Sequence, residues 1–442
     1  MESRTDLTPA PPALPTTPEP ERPLRVVIDA RLASGTLGGV EQFIIGLADG
    51  LSQLNDGPEE FLFLTYAGRD AWLKPYIGGS CRIIHGTAAT RQPAWTRALK
   101  LLPFVRPLAR KLLSPVLARR APARLPLPRS DGMVERAGVD LIHFPTQSAF
   151  LTEVPSIYHP WDLQHLHLPQ YFTPEVVAAR EHAYRAFCAQ ARMVCVATTW
   201  QRRDMIEQYG LPEEKVQVVA AAPVLSAYPS PSDEDLREAA RKFGLPPSFI
   251  FYPAQTWAHK NHLGLLDALA LLRQREGLRV PLVSSGKLND FHPEIERRAR
   301  ELGLDDGVRF LGFVSPLELQ CLYRLARAMI FPTFFEGFGL PVLEAFLAGV
   351  PVACSNVTSL PEQAGDAALI FDPRSPAEIA DAVRRLWTDD QLCLSLVARG
   401  HERARLFTWH HTARLFRAHY RRLANRTLSP ADQTLFSAPP II

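Results

Sequence analysis

From Arg25 onward, short apolar runs alternate with longer stretches that are apolar on one helical face only. Val26, Val27 and Ile28 follow one another with no polar residue between them, as a strand covered on both faces requires. A loop containing Gly35, Gly38 and Gly39 comes next, and then Val40-Glu41-Gln42-Phe43-Ile44-Ile45-Gly46-Leu47, with apolar positions at helical spacing. The same pattern predicts strands at 61–65, 141–144 and 194–197. Between 220 and 232 the chain turns to small residues, Pro and Ser, which reads as a linker. A second series of strands is predicted at 249–252, 281–284, 308–311, 328–331 and 350–353, each followed by a helical stretch. Strands alternating with helices imply parallel sheets covered on both sides. The expected fold class is therefore α/β, with two Rossmann-like doubly wound domains, residues 25–225 and 226–405, facing each other across a cleft. Ligands in such sheets bind beyond the carboxyl ends of the strands.

Composition narrows this picture. The 442 residues are 46% hydrophobic and 21% charged, a globular balance with room for two cores. No apolar run reaches 18 residues, so no spanning helix is expected. The first 24 residues hold seven prolines and no apolar core, and read as a disordered tail rather than a signal peptide. Six cysteines without a CxxC pair fit a reducing, cytoplasmic setting and give no reason to expect zinc. The net charge is only +3, yet residues 88–130 carry ten Lys or Arg and no Asp or Glu. Such a segment suits either an anionic membrane surface on the inner face or a solvated face of its own domain. It lacks the interleaved aromatics of a nucleic-acid binder, so nucleic acid is not an expected partner.

The chemistry concentrates in residues 331–349, Phe-Pro-Thr-Phe-Phe-Glu-Gly-Phe-Gly-Leu-Pro-Val-Leu-Glu-Ala-Phe-Leu-Ala-Gly. A strand ends at Phe331, a glycine-containing loop follows, and Pro341 sits in a first helical turn. Glu336 then lies on the loop and Glu344 one turn into the helix. The amides of Gly337, Phe338, Gly339 and Leu340 lie at the positive end of the helix and suit a phosphate. Spacing alone equally allows a turn glutamate and a solvent-facing one. Similarly, Lys260 ends the loop 252–262 and can neutralise a diphosphate without a metal, although a surface lysine is the plainer reading.

Taken as a whole, the string resembles the E-x7-E segment of family 4 glycosyltransferases, which adopt the two-Rossmann fold called GT-B. Other stretches share the resemblance: Arg309 to Val314, Cys354 to Glu362, Phe407-Thr408-Trp409, and Lys260-Asn261. It covers residues 25 to 425. The resemblance implies that Glu336 contacts hydroxyls of a donor sugar, that Glu344 binds the nucleotide ribose, and that Lys260 binds the diphosphate. It further implies that the segment ending at Val314 contacts the nucleobase through its backbone, that Gly39 lies in the first glycine loop of the site, and that residues 406–425 form a helix crossing back to the first domain, with 426–442 a tail. The partners expected are a nucleotide-diphospho-sugar donor, GDP-mannose in the first instance, and a glycan or lipid-linked acceptor in cell-surface polysaccharide synthesis. Transfer would retain the anomeric configuration, with no metal and no other cofactor. A non-catalytic nucleotide-sugar-binding protein and a sugar-nucleotide epimerase or hydrolase remain as alternatives.

Two positions depart from the family pattern. Its arginine six residues before the lysine is Ala254 here, with Arg31 a candidate substitute. Its H-D-L segment matches 155–169 in two registers: aligning Asp162 puts Trp161 at the histidine position, whereas His159 ends the preceding strand, and we take His159 as the functional equivalent at the transferred sugar. His165 and His167 could suggest a metal, but no third ligand is near in sequence. The Asp233-Glu234-Asp235 triplet reads as the acidic first turn of a helix capped by Ser232, not as a metal motif.

Overall fold

The computed structural model describes residues 22–32, 38–86, 126–224 and 230–442. Gly35, most of the basic segment 88–130, most of the Pro-rich start and the centre of the linker lie outside the described residues. Seven parallel strands form the first sheet: β1 (Arg25–Asp29), β2 (Glu60–Tyr66), β3 (Cys81–Gly86), β4 (Leu141–Phe144), β5 (Ser156–Tyr158), β6 (Met193–Val196) and β7 (Val216–Val218). Their order is β3-β2-β1-β4-β5-β6-β7, so the direction of winding reverses between β1 and β4. Six parallel strands form the second sheet: β8 (Ile250–Pro253), β9 (Leu282–Ser285), β10 (Val308–Phe310), β11 (Ala328–Phe331), β12 (Val352–Ser355) and β13 (Ala368–Phe371). Their order, β10-β9-β8-β11-β12-β13, reverses between β8 and β11.

The continuous apolar runs are explained by two-sided burial. Val26 and Ile28 pack on one face of the first sheet and Val27 on the other, all fully buried. Strands β3, β7 and β13 escape the sequence reading. Arg82 and His85 in β3 are exposed and Gln217 interrupts β7, which removes the continuous apolar signature at these two sheet edges, whereas β13 is apolar throughout and was passed over. Ser232 and Asp235 form the expected capping box on the helix Asp233–Phe243, each side chain bonding the other's backbone N–H.

The helix Trp409–Leu423 packs on the first-domain helix Gly39–Ser52. This approach requires glycine on the first-domain side. A Cβ at Gly46 would run into the Trp409 indole, and one at Gly50 would lie 2.6 Å from the Trp409 carbonyl oxygen. Arg421 then bonds Glu59 of the first domain at 2.7 Å and Asp432 at 2.8 Å. Asp432 belongs to a further helix, Pro430–Ser437, where the sequence suggested only a tail. Ser429 and Asp432 supply its capping box, a signal overlooked in the sequence. Among the described residues no helix is long and apolar enough to cross a membrane.

Candidate functional site

The second domain places its charges at the reversal of its strand order. The loop after β8 carries Lys260 and the loop after β11 carries Glu336, and their side chains meet with Nζ 2.5 Å from Oε1. Both are largely shielded, at 18% and 12% side-chain exposure, so the pair is partly desolvated. Asn261 holds the two loops in register. Its backbone is left-handed (φ 59°), its Nδ2 donates to the carbonyls of Pro332 (3.0 Å) and Pro373 (2.8 Å), and its Oδ1 accepts from Gly264 N–H to cap the helix His262–Glu276. Phe334 N–H donates to the His259 carbonyl at 2.8 Å, and the Tyr252 hydroxyl donates to the Lys260 carbonyl at 2.6 Å. Burial, reinforced by Lys260, pushes the imidazoles of His259 and His262 down to about 3, so both are neutral beside the ammonium.

The backbone of Glu336 is clamped from the loop after β12. Its N–H donates to Thr358 Oγ1, while the hydroxyls of Thr358 (2.8 Å) and Ser359 (3.1 Å) donate to its carbonyl. Thr358 adopts φ 52° to make this contact. Gly339, at φ 65°, precedes the helix Leu340–Leu347, and a Cβ there would lie 2.5 Å from Leu360 Cδ2, so only glycine lets the loop pass. Phe338 turns its ring into the core against Phe407, leaving only its backbone for a ligand. Glu344 is 3% exposed and accepts a 2.8 Å bond from the Tyr323 hydroxyl. Burial raises its carboxyl to about 7, opposed by that hydrogen bond. Val314 is half-buried on the second-domain core, next to Phe313, which is 76% exposed.

The first domain brings its own strand ends against this loop. A Cβ on Gly337 would sit 2.9 Å from the Trp161 carbonyl oxygen, 3.1 Å from Gln201 Nε2 and 3.5 Å from Asp162 Cβ. Gly39 lies opposite Leu340, and Gly38 opposite Gln255. The Trp200 indole packs edge-on against Phe335, and Trp200 N–H donates to Glu362 at 3.0 Å. Asp162 is half-buried at this junction; desolvation pushes its carboxyl up, and Glu336 adds to the push.

Not every expected residue arrives at the cleft in the same way. His159 is 3% exposed, between Phe43, Trp161 and Phe416, and its Nε2 lies 2.8 Å from Nε2 of His143. Arg31 does not stand in for the missing cation at 254. Its guanidinium is held bidentately by Asp29, at 2.8 and 2.7 Å, at the end of β1 in the first domain. There it lines a cavity of about 140 Å³ with Tyr66, Thr146, Ser148 and Phe150, at the reversal between β1 and β4. His165 and His167 point to different partners, Glu181 at 2.9 Å and Asp204 at 2.7 Å, and do not converge. Among the described residues no cluster of three or more His, Cys, Asp or Glu could hold a metal. The sequence reading used Asp162 only to set a register, and passed over Tyr323, Thr358 and His143. Only His143 had a local signal, an ionisable side chain inside an apolar strand.

Two parallel α/β domains with their strand ends turned towards one another define the GT-B class of proteins. Residues 233–403 match the family model described as glycosyl transferases group 1. The O-antigen chain mannosyltransferase B of Escherichia coli is 32% identical over 243 residues, 54% of this chain and 63% of that protein. The D-inositol 3-phosphate glycosyltransferase of Corynebacterium glutamicum is 28% identical over 57% of this chain and 66% of its own length. The matches thus span less than two thirds of these relatives. Among solved structures, HepE of Anabaena in complex with UDP and glucose superimposes with a TM-score of 0.63 at 19% identity, covering 89% of this chain and 98% of that one. The sucrose-phosphate synthase of Thermosynechococcus elongatus does so with 0.65 at 19%, covering 90% and 99%.

Proposed function

We propose that this chain is a retaining glycosyltransferase that moves a hexosyl group, mannosyl in the first instance, from a nucleotide-diphospho-sugar to a glycan or lipid-linked acceptor in cell-surface polysaccharide synthesis. The observation that carries this reading is the Lys260–Glu336 pair, set across the strand reversal beside the amides of Gly337 to Leu340. A donor entering here separates the pair. Lys260 and the loop amides take the diphosphate, and Glu336 accepts hydrogen bonds from the sugar hydroxyls. Glu344 holds the ribose, and the backbone around Val314 meets the base.

The acceptor hydroxyl approaches from the first-domain cavity lined by Asp29, Arg31 and Tyr66. As the bond from the sugar to the diphosphate breaks, that hydroxyl adds on the same face and gives its proton to the departing phosphate oxygen. His159 assists at the transferred sugar. The mannosyltransferase relative supports the choice of sugar. The test is a transfer assay with GDP-mannose and the common UDP-, ADP- and dTDP-sugars, with and without EDTA, on wild type, Lys260→Ala and Glu336→Ala. Transfer from one donor that both substitutions abolish and EDTA leaves intact supports the reading. Wild-type turnover in both variants would sink it.

A further inference from the structure

Beneath the junction of the domains, three fully buried side chains form a chain of hydrogen bonds. The Tyr420 hydroxyl, on the helix Trp409–Leu423, lies 2.7 Å from Nδ1 of His143 on β4. Nε2 of His143 lies 2.8 Å from Nε2 of His159, which follows β5. Tyr420 and His143 are 0% exposed and His159 is 3% exposed. Both histidines lie on the face of the sheet that the crossing helix covers, each within 6 Å of the Phe416 ring. Among the described residues neither bonds a carboxylate. Two uncharged imidazoles facing each other nitrogen to nitrogen share one proton, so exactly one of the two Nε2 atoms is protonated.

Tyr420 decides which. Among the described residues its hydroxyl has no polar partner but His143. If the hydroxyl accepted from His143, its own proton would be left buried and unpaired, the costly arrangement. It therefore donates, which leaves Nδ1 of His143 bare and puts the proton on Nε2. That Nε2–H donates to Nε2 of His159, and the proton of His159 must then sit on Nδ1. Among the described residues Nδ1 of His159 has no hydrogen-bond partner, yet it is not sealed in, unlike Nδ1 of His165 or either nitrogen of His262.

We infer that Tyr420 and His143 are positioning residues that lock His159 in its Nδ1–H form, so that it offers a fixed N–H donor to a hydroxyl of the bound sugar. The last clause rests on the proposed transferase function; the tautomer itself does not. The helix that returns from the second domain thus sets the proton position of a first-domain side chain that follows β5. It does so through two residues that touch no substrate.

The test is nitrogen NMR of the full chain labelled with [15N]histidine, with His159 signals assigned by their loss in His159→Gln. Wild type is expected to show a protonated Nδ1 and a bare Nε2 on His159. Tyr420→Phe removes the donor and should leave His159 as a mixture of tautomers, with kcat lowered about tenfold and the donor KM changed less than about twofold. His143→Gln should keep the lock, because its carboxamide can accept from Tyr420 and donate to His159. His143→Leu should lose it, which provides a second comparison if Tyr420→Phe does not fold. A bare Nδ1 in wild type, or an unchanged tautomer in both Tyr420→Phe and His143→Leu, overturns the inference. The spectra are read without substrate, so a protein that transfers no sugar would overturn the proposed function and leave this result standing.

Discussion

Each domain has one place where its strand order reverses, and each fills that place with a pair of opposite charges, but the two pairs are built differently. In the first domain Asp29 and Arg31 are two residues apart on one strand end, joined by two parallel bonds of 2.8 and 2.7 Å. In the second domain Lys260 and Glu336 come from separate loops 76 residues apart and share a single contact of 2.5 Å. A bidentate local pair is held by geometry as well as charge and stays together when a neutral ligand arrives. A single lysine contact between two loops yields to a stronger anion. The same topology therefore provides a rigid polar wall on one side of the cleft and, on the other, a pair that the proposed diphosphate donor would open.

That contrast can be broken experimentally, and the largest effect should fall on the pair that opens. Lys260→Ala and Glu336→Ala should each lower kcat about 10²- to 10³-fold, the size seen when one preorganised group is lost from a charged transition state. Steady-state kinetics with the preferred donor checks this. A loss confined to the acceptor KM would place the pair on the wrong side of the cleft. Next in size is the junction that aligns the two walls. Gly46→Ala drives a methyl group into the Trp409 indole and should destabilise the chain by about 1–3 kcal/mol, read from urea unfolding. An unchanged midpoint would mean that the crossing helix is not seated on this glycine.

On the rigid wall, Arg31→Ala should raise the acceptor KM about tenfold, or about 1.4 kcal/mol, and leave the donor KM alone. A shift in donor KM instead would merge the two walls into one site.

The smallest effect is a matter of protons. Burial lifts Glu344 from the ordinary 4.5 to about 7, so the folded state holds its proton more tightly than the unfolded state. Its contribution to stability is thus fully present below pH 4.5 and is lost as pH rises through 7. If a ribose hydroxyl bonds the carboxylate, nucleotide binding near pH 7 should release a fraction of a proton. Titration calorimetry in two buffers of different ionisation enthalpy measures it. The release should vanish in Glu344→Gln; its persistence there would assign the proton to another group.

What could be read along the chain was whatever local order controls. Two-sided burial writes itself as apolar runs, which is why β1, β4, β8 and β11 were legible, whereas β3 and β7, edge strands interrupted by polar residues, were not. The Ser232–Asp235 cap and the loop position of Glu336 follow from residues three to five apart, so they too were legible. The rest needed the strands to be ordered in space. Only the reversal between β8 and β11 sets Lys260 against Glu336, and only the returning helix sets Tyr420 over His143. Nothing in the spacing of residues 358 and 359 says that their hydroxyls hold the backbone of Glu336. Sequence determined which residues had the chemistry and which backbone conformation each could take. Tertiary structure decided which of them are neighbours, because charge and hydrogen bonding act over a few ångströms of space and are blind to separation along the chain.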